Sequence, residues 1–168
     1  LYTDGAVQNP NHRSLAISGF GIWWPTQKLE TMLQQSWMGD VPKCVIMEEW
    51  MEGVAMWAPL KGTWHSSTRA ELAALAMAMQ AAIPIHIAID NKTVVDKATR
   101  IIDAVRAEEN GAKPQKKIFK KTWELQGDGD LWKAVWEVTK ARGAGSIRIT
   151  KVKGHATDEM VESGAVPK

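Results

Sequence analysis

The sequence predicts an α/β domain in which a mixed β-sheet is covered by helices. Three observations carry that class. Short segments of alternating or β-branched apolar residues recur at 1–7, 19–25, 53–62, 83–90 and 146–152. Between the later ones, at 68–82, 91–107 and 130–143, apolar residues fall at helical spacing instead. The first three strands follow one another through hairpin-like connections, whereas the last two are each reached through a helix.

LYTDGAV (1–7) and GFGIWWP (19–25) read as two strands joined by a polar loop rich in Asn, Pro and His. Residues 26–51 hold apolar residues without a clean period, interrupted by Gly39 and Pro42, and read as an insertion with some helix. GVAMWAPLKG (53–62) is a third strand, and Pro59 implies an edge position because proline cannot donate to a ladder. The helix at 68–82 has Thr68 as N-cap, Glu71 at the third helical position and an Ala/Leu/Met run, with Pro84 closing it. In IPIHIAID the isoleucines at 83, 85, 87 and 89 alternate with other residues, which is a strand. Val94, Val95, Ala98, Ile101, Ile102 and Val105 then make 91–107 an amphipathic helix.

The polar, basic stretch 108–127 reads as a loop or short mobile helix. Asp130 caps a further helix with Leu131, Trp132, Val135, Trp136 and Val138 as its apolar positions, ending at Gly143. SIRITKV (146–152) is the last strand. Strands joined through helices run parallel, and the first three, joined by hairpin-like connections, run antiparallel.

A chain of 168 residues suits one domain spanning 1–168 and buries roughly 70% of its unfolded surface. Apolar residues make up 45% and charged residues 24%, as in soluble globular proteins. The net charge of +2 hides an asymmetry: residues 1–60 carry three basic against six acidic side chains, and the remainder 18 against 13. Five lysines lie between Lys113 and Lys121, a run able to track a phosphate backbone. Nine tryptophans against one tyrosine is an unusual balance, and core packing accounts for most such residues. The single Cys44 cannot form an internal disulfide, which points to a reducing intracellular compartment, nucleus or cytoplasm. No apolar run approaches the ~20 residues of a membrane span. The chain begins at Leu1 inside a strand and stops at Lys168 soon after a motif loop, so both ends read as cuts from something longer.

Four positions stand out: Asp4 in LYTDGAV, Glu71 in SSTRAELAAL, Asp90 at the end of IPIHIAID, and His155 in KVKGHAT. Each has an ordinary reading. Glu71 pairs with Thr68 in a capping box, Asp4-Gly5 makes a turn, Asp90 caps a helix, and His155 is a loop residue. Together they point elsewhere. Asp90 ends one strand, Asp4 lies within another, and helix-linked sheets bind ligands near strand ends. A helix entering beside them brings the first-turn Glu71 to the same edge. Three carboxylates a few ångströms apart repel one another unless a cation intervenes. Oxygen donors without a cysteine cluster suit Mg²⁺ or Mn²⁺ better than zinc. Two such ions about 3.5–4 Å apart suit phosphodiester hydrolysis, where they activate water and stabilise the leaving oxygen.

In series, TDG, STRAEL, the apolar strand ending in Asp90-Asn91, DLWK (130–133) and VKGHA (152–156) resemble the ribonuclease H family. The resemblance covers nearly the whole chain apart from 26–51. It implies a ribonuclease H-like fold, with a mixed five-stranded sheet in the order 3-2-1-4-5 and helices on both faces. It implies metal-dependent hydrolysis of the RNA strand of an RNA/DNA hybrid, using two Mg²⁺ or Mn²⁺ ions. Asp4, Glu71 and Asp90 would be the metal-binding carboxylates, and His155 the loop histidine that assists proton transfer or product departure. Asn9, Ser67 and Asn91 would face the hybrid. Lys116, Lys117, Lys120 and Lys121, with Trp123, occupy the place of a basic substrate-binding handle.

The family's fourth carboxylate opens a final helix and would fall near Ala165, where no acid stands, so that helix is expected to be missing here. Asp158, Glu159 and Glu162 are available acids, but they lie closer to His155 than the family pattern asks, and Asp158 reads first as a solvated loop charge and only second as a ligand. The expected partners are the hybrid and other domains of a larger polyprotein such as a retroelement reverse transcriptase, with no membrane and a monomeric domain. A stand-alone ribonuclease H, a catalytically impaired nucleic-acid-binding module and a DNA-directed nuclease of the same fold are the alternatives.

Overall fold

A computed structural model describes residues 1–12, 15–30, 44–62, 64–81, 84–115 and 118–154. The strands are β1 (Tyr2–Gln8), β2 (Ile17–Pro25), β3 (Ile46–Trp50), β4 (Gly53–Pro59), β5 (Ile85–Ile89) and β6 (Ile147–Lys151). The helices are α1 (Ser67–Ala78), α2 (Lys92–Glu109) and α3 (Gly129–Arg142). The sheet order is β3-β4-β2-β1-β5-β6. Pairings within β3-β4-β2-β1 are antiparallel, and those of β1 with β5 and β5 with β6 are parallel.

The expected order of five strands survives as β4-β2-β1-β5-β6, and the expected count does not. A sixth strand, β3, lies at the edge, inside the segment read as an insertion. Its residues alternate without an apolar period: four of the five are exposed and Met47 is half-buried. An edge strand of five residues carries little of the burial pattern by which strands are recognised. The edge position expected of Pro59 is corrected as well. β4 runs between β2 and β3, but its pairing with β3 ends where Trp57 meets Ile46. Pro59 lies beyond that point and pairs with Gly19 alone, so its missing N–H interrupts nothing in the β3 ladder.

Side chains alternate across β2, and Ser18, Phe20, Ile22 and Trp24 are the buried set. Phe20, Ile22 and Trp24 join Val54, Met56 and Ala58 of β4 and Ile85, Ile87 and Ile89 of β5 in one core with the helices. Among the described residues α1, α2 and α3 all join this one core, and α1 packs on β1 and β2 and against α3.

α1 is buried on almost every side, through Ala70, Glu71, Leu72, Ala73, Ala74, Leu75 and Ala78. Small residues let it sit close to the sheet. A Cβ at Gly5 would collide with the Glu71 nitrogen and with Ala70, so glycine is required where α1 crosses β1. In α2, Val94, Ala98, Ile101, Ile102 and Val105 are buried, as the spacing predicts.

The stretch 108–127 is tied down in its second half. Ile118 and Phe119 are buried, and residues Trp123–Leu125 form a 3-10 turn. Phe119 meets Trp123 and Trp132 edge-on, at 5.6 and 6.0 Å between ring centres, and Trp123 packs on Trp136 at 6.1 Å. Lys97 lies 5.3 Å from the Trp132 ring and Arg100 5.8 Å from that of Phe119, an arrangement favoured by the negative face of the π-system. Phe119→Ala is expected to cost about 3 kcal/mol in denaturant unfolding and to speed tryptic cutting at Lys120 and Lys121. Unchanged values in both assays would mean the basic segment is anchored elsewhere.

Candidate metal centre

β1 places Asp4 opposite Gly21 of β2, and β1 runs parallel to β5, which ends one residue before Asp90. α1 delivers Glu71 from above. Asp4, Glu71 and Asp90 each offer a carboxylate oxygen, and those oxygens lie within 4.8 Å of one another. Asp4 is exposed, Asp90 half-buried and Glu71 only 4% exposed. The Gly5 amide donates to Asp4 Oδ1 at 2.9 Å.

Glu71 does not serve the capping role that its spacing from Thr68 suggests. The N-cap is Ser66, whose Oγ accepts the Arg69 N–H at 3.0 Å. Three consecutive hydroxyl residues, Ser66, Ser67 and Thr68, each satisfy the cap chemistry, and packing selects the first. Glu71 therefore sits two residues past the third helical position, on the side of α1 that faces β1. Its Oε2 is buried with no hydrogen-bond partner.

Burial, then the charge of Asp90, then that of Asp4 push the Glu71 carboxyl up to about 8, with the Gly5 amide opposing them. An orphaned carboxylate oxygen beside two further carboxylates is a donor set for a hard cation and fits Mg²⁺ or Mn²⁺. The cation would be held by Asp4, Glu71 and Asp90.

Gly154, shortly after β6, lies against the Asp90 side chain. A Cβ at Gly154 would collide with Asp90 Oδ2, so glycine is the residue this approach admits. His155 and Asp158 lie outside the described residues, as do Lys116 and Lys117. Ser67 is the first residue of α1, exposed, and one helical turn before Glu71. Asn91 follows Asp90 directly, and its Oδ1 caps α2 by accepting the Val94 N–H at 3.2 Å. The helix cap expected at Asp90 thus falls on its neighbour. Asn9 lies about 16 Å along β1 from Asp4, in a turn with φ 53°. Lys120 and Lys121 are exposed, and Trp123 is half-buried in the aromatic cluster.

Sequence reasoning missed Arg69. Its guanidinium donates to both oxygens of Asp130, at 3.0 and 2.6 Å, and to Asp128 Oδ1 at 3.2 Å. Asp130 is consequently not the cap of α3. Asp128 holds that position in a left-handed conformation with no side-chain cap bond, and Asp130 sits in the first turn. Arg69 also borders a cleft of about 630 Å³ shared by Lys61, Trp64, Trp123, Gln126 and Asp128. The RAEL and DLWK motifs carried the signal, since each places one charged partner at the start of a helix.

No protein-family model and no curated protein matches this sequence. The structure is similar to the solution structure of the PFV RNase H domain, with 21% identity and a TM-score of 0.50 over 98% of this chain and 86% of that one. A foamy viral protease-reverse transcriptase in complex with dsDNA matches 94% of this chain and 83% of its own, with 19% identity and a TM-score of 0.49. The chain has the ribonuclease H fold. Among the described residues no helix is long and apolar enough to cross a membrane.

The raised Glu71 carboxyl sets a pH dependence for the metal-free protein. Between pH 4.5 and about 8 the unfolded chain gives up this proton while the folded one keeps it. The stability contributed by neutral Glu71 is therefore whole below pH 4.5 and lost as pH rises to about 8, on the order of a few kcal/mol. In EDTA, melting is expected to fall across this range, and Glu71→Gln to flatten that fall. An equally steep fall in the Gln variant would assign the titration to another group.

Proposed function

We propose that this chain is a metal-dependent endonuclease domain that hydrolyses the RNA strand of RNA/DNA hybrids. The observation that carries the reading is the gathering of Asp4, Glu71 and Asp90 within 4.8 Å around a buried, unpaired carboxylate oxygen. The ribonuclease H fold and the motif series support it.

In this reading the three carboxylates hold two Mg²⁺ or Mn²⁺ ions. When bound, the ions neutralise charge on the scissile phosphate and lower the pKa of water. The protein's own residues do the rest. Glu71, buried and pinned by α1, supplies a rigid donor, while exposed Asp4 leaves the site open to a duplex. Asn91 and Ser67 flank the carboxylates and face the backbone and 2′-hydroxyls of the hybrid, which distinguish RNA from DNA without reading sequence. His155, one residue after the Gly154 that abuts Asp90, assists proton transfer or product departure. Lys116, Lys117, Lys120 and Lys121 contact phosphates, and Asn9 and Trp123 complete the substrate surface. The expected setting is a reducing compartment, either within a larger reverse-transcriptase polyprotein or as a stand-alone ribonuclease H.

Cleavage of a labelled hybrid is expected with Mn²⁺ or Mg²⁺ and not with EDTA. Asp4→Asn and Asp90→Asn each should lower the rate by about a hundredfold or more. Rates equal to the parent in both variants would refute the site. No cleavage by the parent, together with salt-sensitive hybrid binding, would favour a binding module of the same fold.

Replacing Lys116, Lys117, Lys120 and Lys121 with Ala should weaken hybrid binding and flatten its dependence on log salt by about one unit per lysine in contact. An unchanged slope would take the segment out of the interface.

A further inference from the structure

Glu71 is held in a place its own chemistry resists. Its carboxyl oxygen lies within 4.8 Å of those of Asp4 and Asp90, and its Oε2 is buried with no hydrogen-bond partner. A shift of the helix that carries it would take the third donor out of this cluster. On the β1 side the contact at Gly5 sets how close the helix comes.

The tether lies on the opposite side of α1. Arg69 precedes Glu71 by two residues, and its backbone N–H is bound by the Ser66 cap at 3.0 Å. Its side chain makes a forked pair with Asp130, at 3.0 and 2.6 Å, and a third bond to Asp128 at 3.2 Å. The guanidinium is 20% exposed and Asp128 15%, so two of the three groups are largely removed from water, where charge-assisted bonds are strongest. Asp130 is itself well exposed, and the clamp's rigidity comes from its forked geometry. Asp128 and Asp130 stand at the start of α3, which Trp132 and Val135 bury in the core. The first turns of α1 are thereby fastened to a rigid second helix.

We propose that Arg69 is a positioning residue for the metal centre, holding the start of α1 so that Glu71 stays beside Asp4 and Asp90. The inference rests on the metal-binding reading above. It concerns cation affinity, which is measured without turnover. It also makes a sign prediction that a purely electrostatic role contradicts. Losing a positive charge near three carboxylates would tighten cation binding, whereas losing a clamp weakens it.

The test is Mn²⁺ titration by calorimetry on the full chain, well below the melting temperature, with folding checked by circular dichroism. Arg69→Ala, and separately the double variant Asp128→Asn with Asp130→Asn, should each weaken Mn²⁺ binding about tenfold. Arg69→Lys, which keeps the charge and loses the fork, should fall between Arg69→Ala and the parent. In a Glu71→Gln background, Arg69→Ala should add nothing, because its effect runs through Glu71. Should Arg69→Ala fail to fold, the Lys variant and the double Asn variant carry the same comparison.

Parent-like or tighter Mn²⁺ binding in Arg69→Ala, or full additivity with Glu71→Gln, would overturn the inference and leave the metal site standing. A parent that binds no Mn²⁺ through Glu71 would overturn the metal-binding reading itself, and the positioning role with it.

Discussion

The crossing of α1 over β1 at Gly5 is the contact on which the rest of this structure depends. A helix normally stands off a sheet by the depth of its side chains. Here Gly5 and Ala70 remove that spacer, and a Cβ at Gly5 would strike the backbone of α1. The Glu71 nitrogen therefore lies almost on β1. Its side chain has nowhere to go except alongside Asp4, one residue away on the strand, and Asp90 at the end of the neighbouring strand β5. A similar device works on the far side, where Gly154 lets the loop after β6 press against Asp90. Two glycines chosen for close approach, not for turning, bound the cluster.

Such a cluster runs against the general preference for pairing buried charge. The core offsets its cost. One continuous apolar body runs from Phe20 and Ile22 through Leu72 and Leu75 to Val94, Ile101 and Trp132. Positive charge is placed away from the carboxylates: Arg69 turns to α3, and Lys97 and Arg100 lie over the Phe119 and Trp132 rings. The carboxylates are left beside one another as a result. Violations of packing logic that the surrounding structure sustains are where function is found.

The aromatic residues divide between two tasks. Trp132 is fully buried, and with Phe119, Trp123 and Trp136 it fixes the path between α2 and α3. Lys120 and Lys121 thus rise from an anchored base. Tyr2, Trp23 and Trp50 form a second group, with Tyr2 stacked on Trp23 at 5.5 Å and Trp50 meeting Trp23 edge-on at 6.3 Å. Composition predicted core packing as the main use of tryptophan; among the described residues Trp24 and Trp132 are buried in the core, whereas Trp50 and Trp64 are exposed.

What was legible in the sequence was periodic or spaced. The alternating isoleucines of β5, the helical spacing of Val94 to Val105 and the order of the motifs are local records of which way each side chain faces. They sufficed for the ribonuclease H fold, for the parallel and antiparallel halves of the sheet, and for naming the three acids that meet. Local sequence cannot record what depends on a distant neighbour. It could not choose Ser66 over Thr68 as the cap, reveal the edge strand at Ile46–Trp50, or show that Pro59 lies past its partner's end. Nor could it pair Arg69 with Asp128 and Asp130, 59 and 61 residues away. The sequence by itself determined the elements and the identity of the acidic set, because periodicity is written residue by residue. Only the tertiary structure decided that Glu71 is buried, set beside two further carboxylates and braced, because burial and charge proximity are properties of what the folded chain brings alongside.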